Sequence, residues 1–142
     1  MTTQKIQQEI IKEFGGSAKD WLKKYGQLMK LGKTLPSAEE AHKIEDNLVK
    51  GCQVRTWYGS TFKDGKVFYK IDSLSLIIKG AVVLLLRVLN GRTPEEIKNT
   101  ELYFIDQTGL RELFSPVKAN SLWKVINRMQ TDAANYGAKR NK

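Results

Sequence analysis

The chain has 142 residues, of which 41% are hydrophobic and 27% charged, and this length and balance predict one globular domain over residues 1–142. Its 24 lysines and arginines against 15 acidic residues leave a formal net charge of +9 at pH 7, which raises a nucleic-acid hypothesis. The single cysteine excludes an internal disulfide, and one cysteine with one histidine is too few ligands for a zinc site.

The first third of the chain predicts two or three helices. Isoleucines at helical spacing indicate a first helix, which ends at Gly15-Gly16. Ser17 is the predicted N-cap of a second helix. A capping box at residues 37–40 predicts a short helix that runs to about Ile44. The second helix is expected to carry one apolar face, made of Trp21, Leu22, Tyr25, Leu28, Met29 and Gly32.

The middle of the chain predicts a β-hairpin. Residues 54–62 alternate with a period near two, which is typical of a strand. Asp64-Gly65 accepts the positive φ angles that a tight turn requires. The returning strand is expected to include Val67, Tyr69 and Ile71.

Helices are predicted for the rest of the chain. An apolar helix follows the hairpin, with Asp72 or Ser73 as its predicted N-cap and Asn90-Gly91 as its end. Its apolar window, residues 74–89, is interrupted by two cations and is shorter than the ~20 residues of a membrane span, so we interpret it as a core helix. Two more helices begin at the capping box of residues 93–96 and at Ser115-Pro116. This order predicts an α+β domain with helices packed against one small antiparallel sheet.

The common enzyme signatures are absent from the sequence. There is no phosphate-binding loop, no dinucleotide-binding glycine pattern and no nucleophile elbow. His42 is the only histidine, and its polar surroundings favour a surface position over a role as the base of a Cys–His pair. What remains is the chemistry that a single thiol can perform.

The surroundings of Cys52 allow two interpretations. Lys50 and Arg55 lie close in sequence, and Gly51 gives the backbone freedom for a turn that would let a bulky group approach. Cations and backbone N–H groups favour a reactive thiolate. Against this, free cysteines usually behave as small buried hydrophobic residues. The residues alone leave a reactive and a structural cysteine about equally favoured.

The order of motifs resembles the SufE family, sulfur acceptors that serve cysteine desulfurases in iron–sulfur cluster assembly. The resemblance covers about residues 17–130 in an unbroken order. Its motifs are LMKLGKTLP at 28–36, Gly51-Cys52-Gln53 with Trp57, Asp72-Ser73, Ile78-Lys79-Gly80, NGRTPEEI at 90–97, TGLRE at 108–112 and Ser115-Pro116.

The resemblance implies a fold and a role. The fold would be a three-stranded antiparallel sheet with helices packed against it, similar to iron–sulfur scaffold proteins of the IscU and NifU N-terminal type. Cys52 would take persulfide sulfur from a SufS-like cysteine desulfurase, stimulate it, and pass the sulfur to a scaffold complex. The chain would be an accessory subunit rather than an enzyme by itself, without a cofactor, since pyridoxal phosphate belongs to the desulfurase. A homodimer stays open.

The resemblance also implies which residues support Cys52. They are the neighbours Gly51 and Gln53, together with Arg55, Asp72 and Lys118 as loop or docking residues, in a loop expected to be shielded until the desulfurase docks. The sequence departs from the family pattern at Val54-Arg55, at Leu74 and at Lys118, which stands where the family has arginine. A lysine cannot reproduce the two-pronged hydrogen bonding of arginine. These departures change charges near the expected docking surface.

The competing hypothesis is a basic nucleic-acid-associated domain with a structural cysteine. It rests on net charge alone, because the cations are spread along the chain and no known nucleic-acid-binding motif is present. A signal peptide and a membrane span are not predicted, and the lack of a disulfide fits a reducing compartment. We therefore expect a cytoplasmic protein whose partners are proteins.

Overall fold

The structure is a computed structural model that describes residues 1–15, 20–37 and 42–140. Within these residues, the chain forms six α-helices and a two-stranded antiparallel sheet, which packs against α3 and α6. Short 3-10 helices lie at Glu45–Asn47 and Leu110–Leu113. The elements in chain order are α1 (Thr3–Phe14), α2 (Trp21–Thr34), β1 (Thr56–Lys63), β2 (Lys66–Ser73), α3 (Leu76–Leu89), α4 (Pro94–Lys98), α5 (Phe104–Gln107) and α6 (Pro116–Arg140).

The apolar helix α3 is the centre of the core. Nine of its residues are buried, as its nearly uniform apolar sequence predicts. Helices α1 and α2 pack against it on one side, and β2 and α6 also contact it. At the α2–α3 crossing, Gly32 and Gly80 bring the two backbones so close that a Cβ at Gly80 would overlap the Leu28 carbonyl. This tight crossing fixes α2 against α3, the helix that also contacts β2.

The hairpin is confirmed, with one correction to the number of strands. Asp64 and Gly65 adopt φ angles of 54° and 77°, as the turn requires. The sheet of the described residues has two strands rather than the expected three. A third segment meets β1 only at a single bridge between Leu48 and Trp57. Pairing does not extend further because a 3-10 helix precedes Leu48 and the chain turns at Gly51, where φ is 81°.

The predicted ends of α1, α4 and α6 are confirmed, whereas the predicted start of α3 is not. Gly15 ends α1, Thr93 and Glu96 form the expected capping box of α4, and α6 begins at Pro116. The N-cap of α3 is Ser75, whose Oγ accepts from the backbone N–H of Ile78 at 3.3 Å. The prediction of Asp72 or Ser73 as this cap was wrong because β2 continues through Ser73.

Two predictions for the early helices change or stay untested. On the expected apolar face of α2, Leu28 and Gly32 are buried, but Trp21 and Leu22 are exposed. In the first turns of α2, the buried residue is Lys24, and its Nζ donates to the Thr108 carbonyl at 2.6 Å. The Ser17 cap and the capping box at 37–40 lie wholly or mostly outside the described residues, and residues 42–44 are not helical.

Candidate functional site

Cys52 lies on a loop, residues 49–55, whose two ends are joined by hydrogen bonds. The Val49 N–H donates to the Thr56 carbonyl at 2.9 Å, beside the Leu48–Trp57 bridge. On the other side of the base, the Leu74 N–H donates to the Arg55 carbonyl at 3.0 Å. The loop is therefore fastened to both strands where β1 begins and β2 ends.

The thiol of Cys52 is half-buried. With Val54, it packs against the edge of the hydrophobic core. Gly51 and Gln53 on either side of it are exposed. Gly51 has a φ of 81°, a conformation that residues other than glycine adopt only at a cost. Cys52 is therefore partly covered by the core but lies between two residues that are open to solvent.

Helix α6 supplies two residues to this loop that the sequence did not point out. The Asn120 side-chain amide donates to the Gly51 carbonyl at 3.4 Å. The Nζ of Lys124 lies 3.1 Å from the position that a Cβ at Gly51 would occupy. Their spacing of four residues, which puts them on one face of α6, was the signal available in the sequence. Nothing in the sequence indicated that this face would meet residue 51.

Asp72 lies at the base of the loop, opposite Trp57 in the hairpin register. Its side chain is buried, and its carboxylate pairs with Lys43 at 3.5 Å and with Lys79 at 3.6 Å. The Lys43 ammonium also lies over the Trp57 ring, 5.6 Å from its centroid. Asp72 thus ties the chain before the loop, the end of β2 and the start of α3 together.

The remaining predicted residues are Arg55 on the loop and Lys118 on α6. Arg55 is exposed and contacts Leu74 through its backbone. Lys118 is half-buried in the first turn of α6, where its backbone N–H donates to Ser115 Oγ at 3.4 Å. The departure Leu74 is 68% exposed, so an apolar side chain faces solvent at the base of the loop.

The charge around Cys52 is positive. Residues 47–63 and 113–131 contain no aspartate or glutamate. These two stretches carry the cations Lys50 and Arg55 on the loop and Lys118 and Lys124 on α6. The nearby carboxylate of Asp72 is already paired with two lysines. The surface around the loop is therefore electrostatically suited to an acidic partner surface.

His42 is half-buried rather than on the surface as expected. A Cβ on Gly59 would lie 3.0 Å from its Cε1 atom, so the imidazole covers β1 at that point. Its Nε2 is buried, and the described residues offer it no hydrogen-bond partner. None of the hydrogen bonds of the described residues joins His42 to Cys52. Within this part of the chain, the Cys52 site has no histidine base.

Neither a metal-binding group of side chains nor a membrane-spanning helix is found in the part of the chain that the structure describes. No three His, Cys, Asp or Glu side chains among these residues are grouped so that they could hold a metal ion. None of their helices is both long and apolar enough to cross a membrane. The predicted cytoplasmic location stays a prediction.

The chain is similar to several known proteins. It is 40% identical to a SufE-like protein of Synechocystis sp. over 111 residues, 78% of this chain and 70% of that protein. It is 34% identical to the sulfur acceptor protein CsdE of Escherichia coli over 72% of this chain and 71% of CsdE. It is 35% identical to SufE-like protein 1, chloroplastic/mitochondrial, of Arabidopsis thaliana over 93% of this chain, which spans only 36% of the plant protein.

The fold is also found in a solved structure. A hypothetical protein from Thermus thermophilus, solved in solution, superposes with a TM-score of 0.72 over 95% of this chain and 97% of the other, at 22% identity. The similarity to iron–sulfur scaffold proteins is not confirmed. The sequence model of the SufE family, described as an Fe-S metabolism associated domain, matches residues 8–133. The chain belongs to the SufE family.

Proposed function

We propose that this protein is a sulfur acceptor in iron–sulfur metabolism, and that Cys52 carries the sulfur. The observation that carries the proposal is the position of Cys52, half-buried on a loop that is turned by Gly51 and surrounded by cations, in a SufE-family chain. The E. coli relative is named a sulfur acceptor protein, which supports the same role here.

The proposed step moves one sulfur atom without net oxidation. The Cys52 thiolate attacks the terminal sulfur of a persulfide on the partner enzyme. A new S–S bond forms on Cys52 while the S–S bond of the partner breaks, and the cysteine of the partner leaves as a thiolate. The proton of the transferred sulfur passes to solvent when the new persulfide ionises. Cys52 needs no general base, because it reacts in its ionised form.

The donor that fits this step is a cysteine desulfurase, whose pyridoxal phosphate would release the sulfur from cysteine. This chain stimulates the enzyme by removing its persulfide and delivers the sulfur to a scaffold complex. Half-burial of Cys52 would slow the loss of the carried sulfur to free thiols and oxidants. Gly51, Gln53 and Arg55 belong to the loop that must present the sulfur, and Asp72 lies at its base. Lys118 lies in the first turn of α6, the helix whose Asn120 contacts the loop.

The test is direct transfer. The protein is incubated with a cysteine desulfurase and cysteine, then its intact mass is measured without reductant. We expect an added mass of about 32 Da that maps to Cys52, and faster sulfide release than with the Cys52→Ser variant. An unchanged mass together with unchanged turnover would sink the proposal. A salt-sensitive affinity for nucleic acid that is unchanged in Cys52→Ser would favour the basic binding domain instead.

A further inference from the structure

One face of α6 carries a row of polar residues spaced by four. Residues four apart lie on the same side of an α-helix, so the row runs along the helix. The N-terminal end of the row faces the cysteine loop, and its C-terminal end faces β1. Its members are Asn120, Lys124, Arg128 and Asp132.

Three of the four have evident partners. Asn120 donates to the Gly51 carbonyl at 3.4 Å. The Arg128 guanidinium lies 4.6 Å from the centroid of the Tyr58 ring. Asp132 accepts hydrogen bonds from two hydroxyl groups of β1. The row therefore makes contacts with the loop and with β1, although Asn120 and Arg128 are also exposed to solvent.

Lys124 is the exception. Its side chain is half-buried against Gly51, which precedes Cys52. Among the residues that the structure describes, no carboxylate forms an ion pair with it. An ammonium group held beside the loop without a counterion is available to interact with an anion that comes and goes on the neighbouring residue.

We propose that Lys124 is a positioning residue for sulfur transfer: its ammonium group stabilises the negative charge on the sulfur of Cys52, while Asn120 holds the loop against α6. The inference rests on the proposed function, since the anion is the thiolate before transfer and the persulfide after it. The ammonium group keeps its proton throughout and forms no covalent bond. The charge acts on the attacking sulfur in the step given above and on the ionised persulfide that results.

The test uses the thiol chemistry of the whole protein without any desulfurase. Cys52 is reacted at constant pH with an anionic disulfide, 5,5′-dithiobis(2-nitrobenzoate), and with the neutral 2,2′-dithiodipyridine. A unit charge a few ångströms from a reacting anion in water contributes less than about 1 kcal/mol, which is enough for roughly a threefold change in rate. We expect Lys124→Gln to slow the anionic reagent at least threefold, to slow the neutral reagent less, and to lose its effect at about 1 M salt, where the Debye length is ~3 Å.

Two further variants separate charge from structure. Lys124→Arg keeps the charge and should restore the wild-type rates. Lys139→Gln removes an exposed cation near the end of the same helix and should change neither rate. Wild-type rates in Lys124→Gln, or a Lys124→Arg variant as slow as Lys124→Gln, would overturn the inference. Since no partner enzyme is present, this result does not depend on whether the sulfur-transfer test succeeds.

Discussion

The hydroxyl of Tyr58 in β1 donates a 2.7 Å hydrogen bond to the carboxylate of Asp132 in α6. Ser60, on the same strand face, donates to the same oxygen at 2.7 Å and lies 2.9 Å from the hydroxyl of Tyr136. These bonds fasten the hairpin to the helix that also carries Asn120 and Lys124. The cysteine loop leads directly into β1, so its position against α6 depends on this junction.

Tyr58 should make the protein sensitive to alkaline pH. Burial and the neighbouring Asp132 carboxylate raise the pKa of its phenol well above the usual value of 10.0. The unfolded chain therefore loses this proton first, and stability that is complete below pH 10 falls as the pH rises further. We expect Tyr58→Phe to make that decline shallower by up to about 1.4 kcal/mol per pH unit.

The measurement is urea unfolding, followed by tryptophan fluorescence between pH 7 and 11. At pH 7, Tyr58→Phe should be less stable by about 2 kcal/mol, because a hydrogen bond to a charged group is lost. The two stability curves should then converge above pH 10. Ser60→Ala removes the other donor to Asp132 without removing a titrating group, so its curve should stay parallel to that of the wild type. Parallel curves for Tyr58→Phe would show that the tyrosine does not control alkaline stability.

The parts of the fold that the sequence predicted correctly are those that local chemistry decides. The Asp64-Gly65 turn, the Thr93 capping box and the start of α6 each depend on residues within four positions of one another. The N-cap of α3 was misplaced by only a few residues because Ser73 and Ser75 offer the same hydroxyl. Only the length of β2 decides between them.

The features that the sequence did not predict correctly, or did not predict at all, depend on contacts between distant parts of the chain. A helical pattern favours Trp21 and Leu22 for burial, but the packing of α2 on the rest of the domain buries Lys24, because the Thr108 carbonyl is there to accept from it. The turn expected at Gly51 before the first strand is present, and whether Cys52 is the functional residue stays a prediction. The contact of Asn120 with this turn was missed, since Asn120 lies 69 positions from Gly51 and no periodicity in the sequence connects the two.

The α2–α3 crossing gives a stability prediction. A Cβ at Gly80 would overlap the Leu28 carbonyl, which is a backbone group and cannot rotate away. Gly80→Ala should therefore force the helices apart and destabilise the protein by about 3 kcal/mol or more. Thermal unfolding followed by circular dichroism would measure this as a lower Tm.

The matched control is a glycine in the same pair of helices at which an added Cβ would meet no other atom. Gly26 lies in α2, is exposed, and has open space where a Cβ would be. Gly26→Ala should stabilise the protein by about 0.5–1 kcal/mol, because alanine loses less backbone entropy in a helix. Equal Tm values for the two variants would mean that the close approach of Gly80 to α2 is not required.

The buried carboxylate of Asp72 should hold both the fold and the base of the loop. Asp72→Asn leaves the half-buried ammonium groups of Lys43 and Lys79 without their charged partner, and breaking such a buried pair costs about 3 kcal/mol. The strand end beside the loop should also open more often. We expect a lower urea midpoint and faster alkylation of Cys52 by the neutral reagent N-ethylmaleimide.

Asp46→Asn is the comparison for this change, because Asp46 is an exposed acid in the 3-10 helix before the loop. It should alter stability by less than about 0.5 kcal/mol. It should leave the alkylation rate unchanged. If Asp72→Asn behaved in the same way, the ion pairs with Lys43 and Lys79 would contribute nothing measurable to the loop.

The positive surface around Cys52 should guide a desulfurase through charge, if the proposed function holds. Arg55 and Lys50 are exposed on the loop, and no acid lies within residues 47–63. Exposed charges act mainly on the rate of encounter and are screened by salt. Arg55→Glu should raise the KM for the acceptor in desulfurase turnover by about fivefold at low salt, which corresponds to about 1 kcal/mol, while kcat stays near the wild-type value.

The control is Lys98→Glu, which reverses an exposed charge on α4 and should leave this KM unchanged. A KM that is insensitive to Arg55→Glu, or equally raised by Lys98→Glu, would mean that docking depends on contacts other than the charge of this loop.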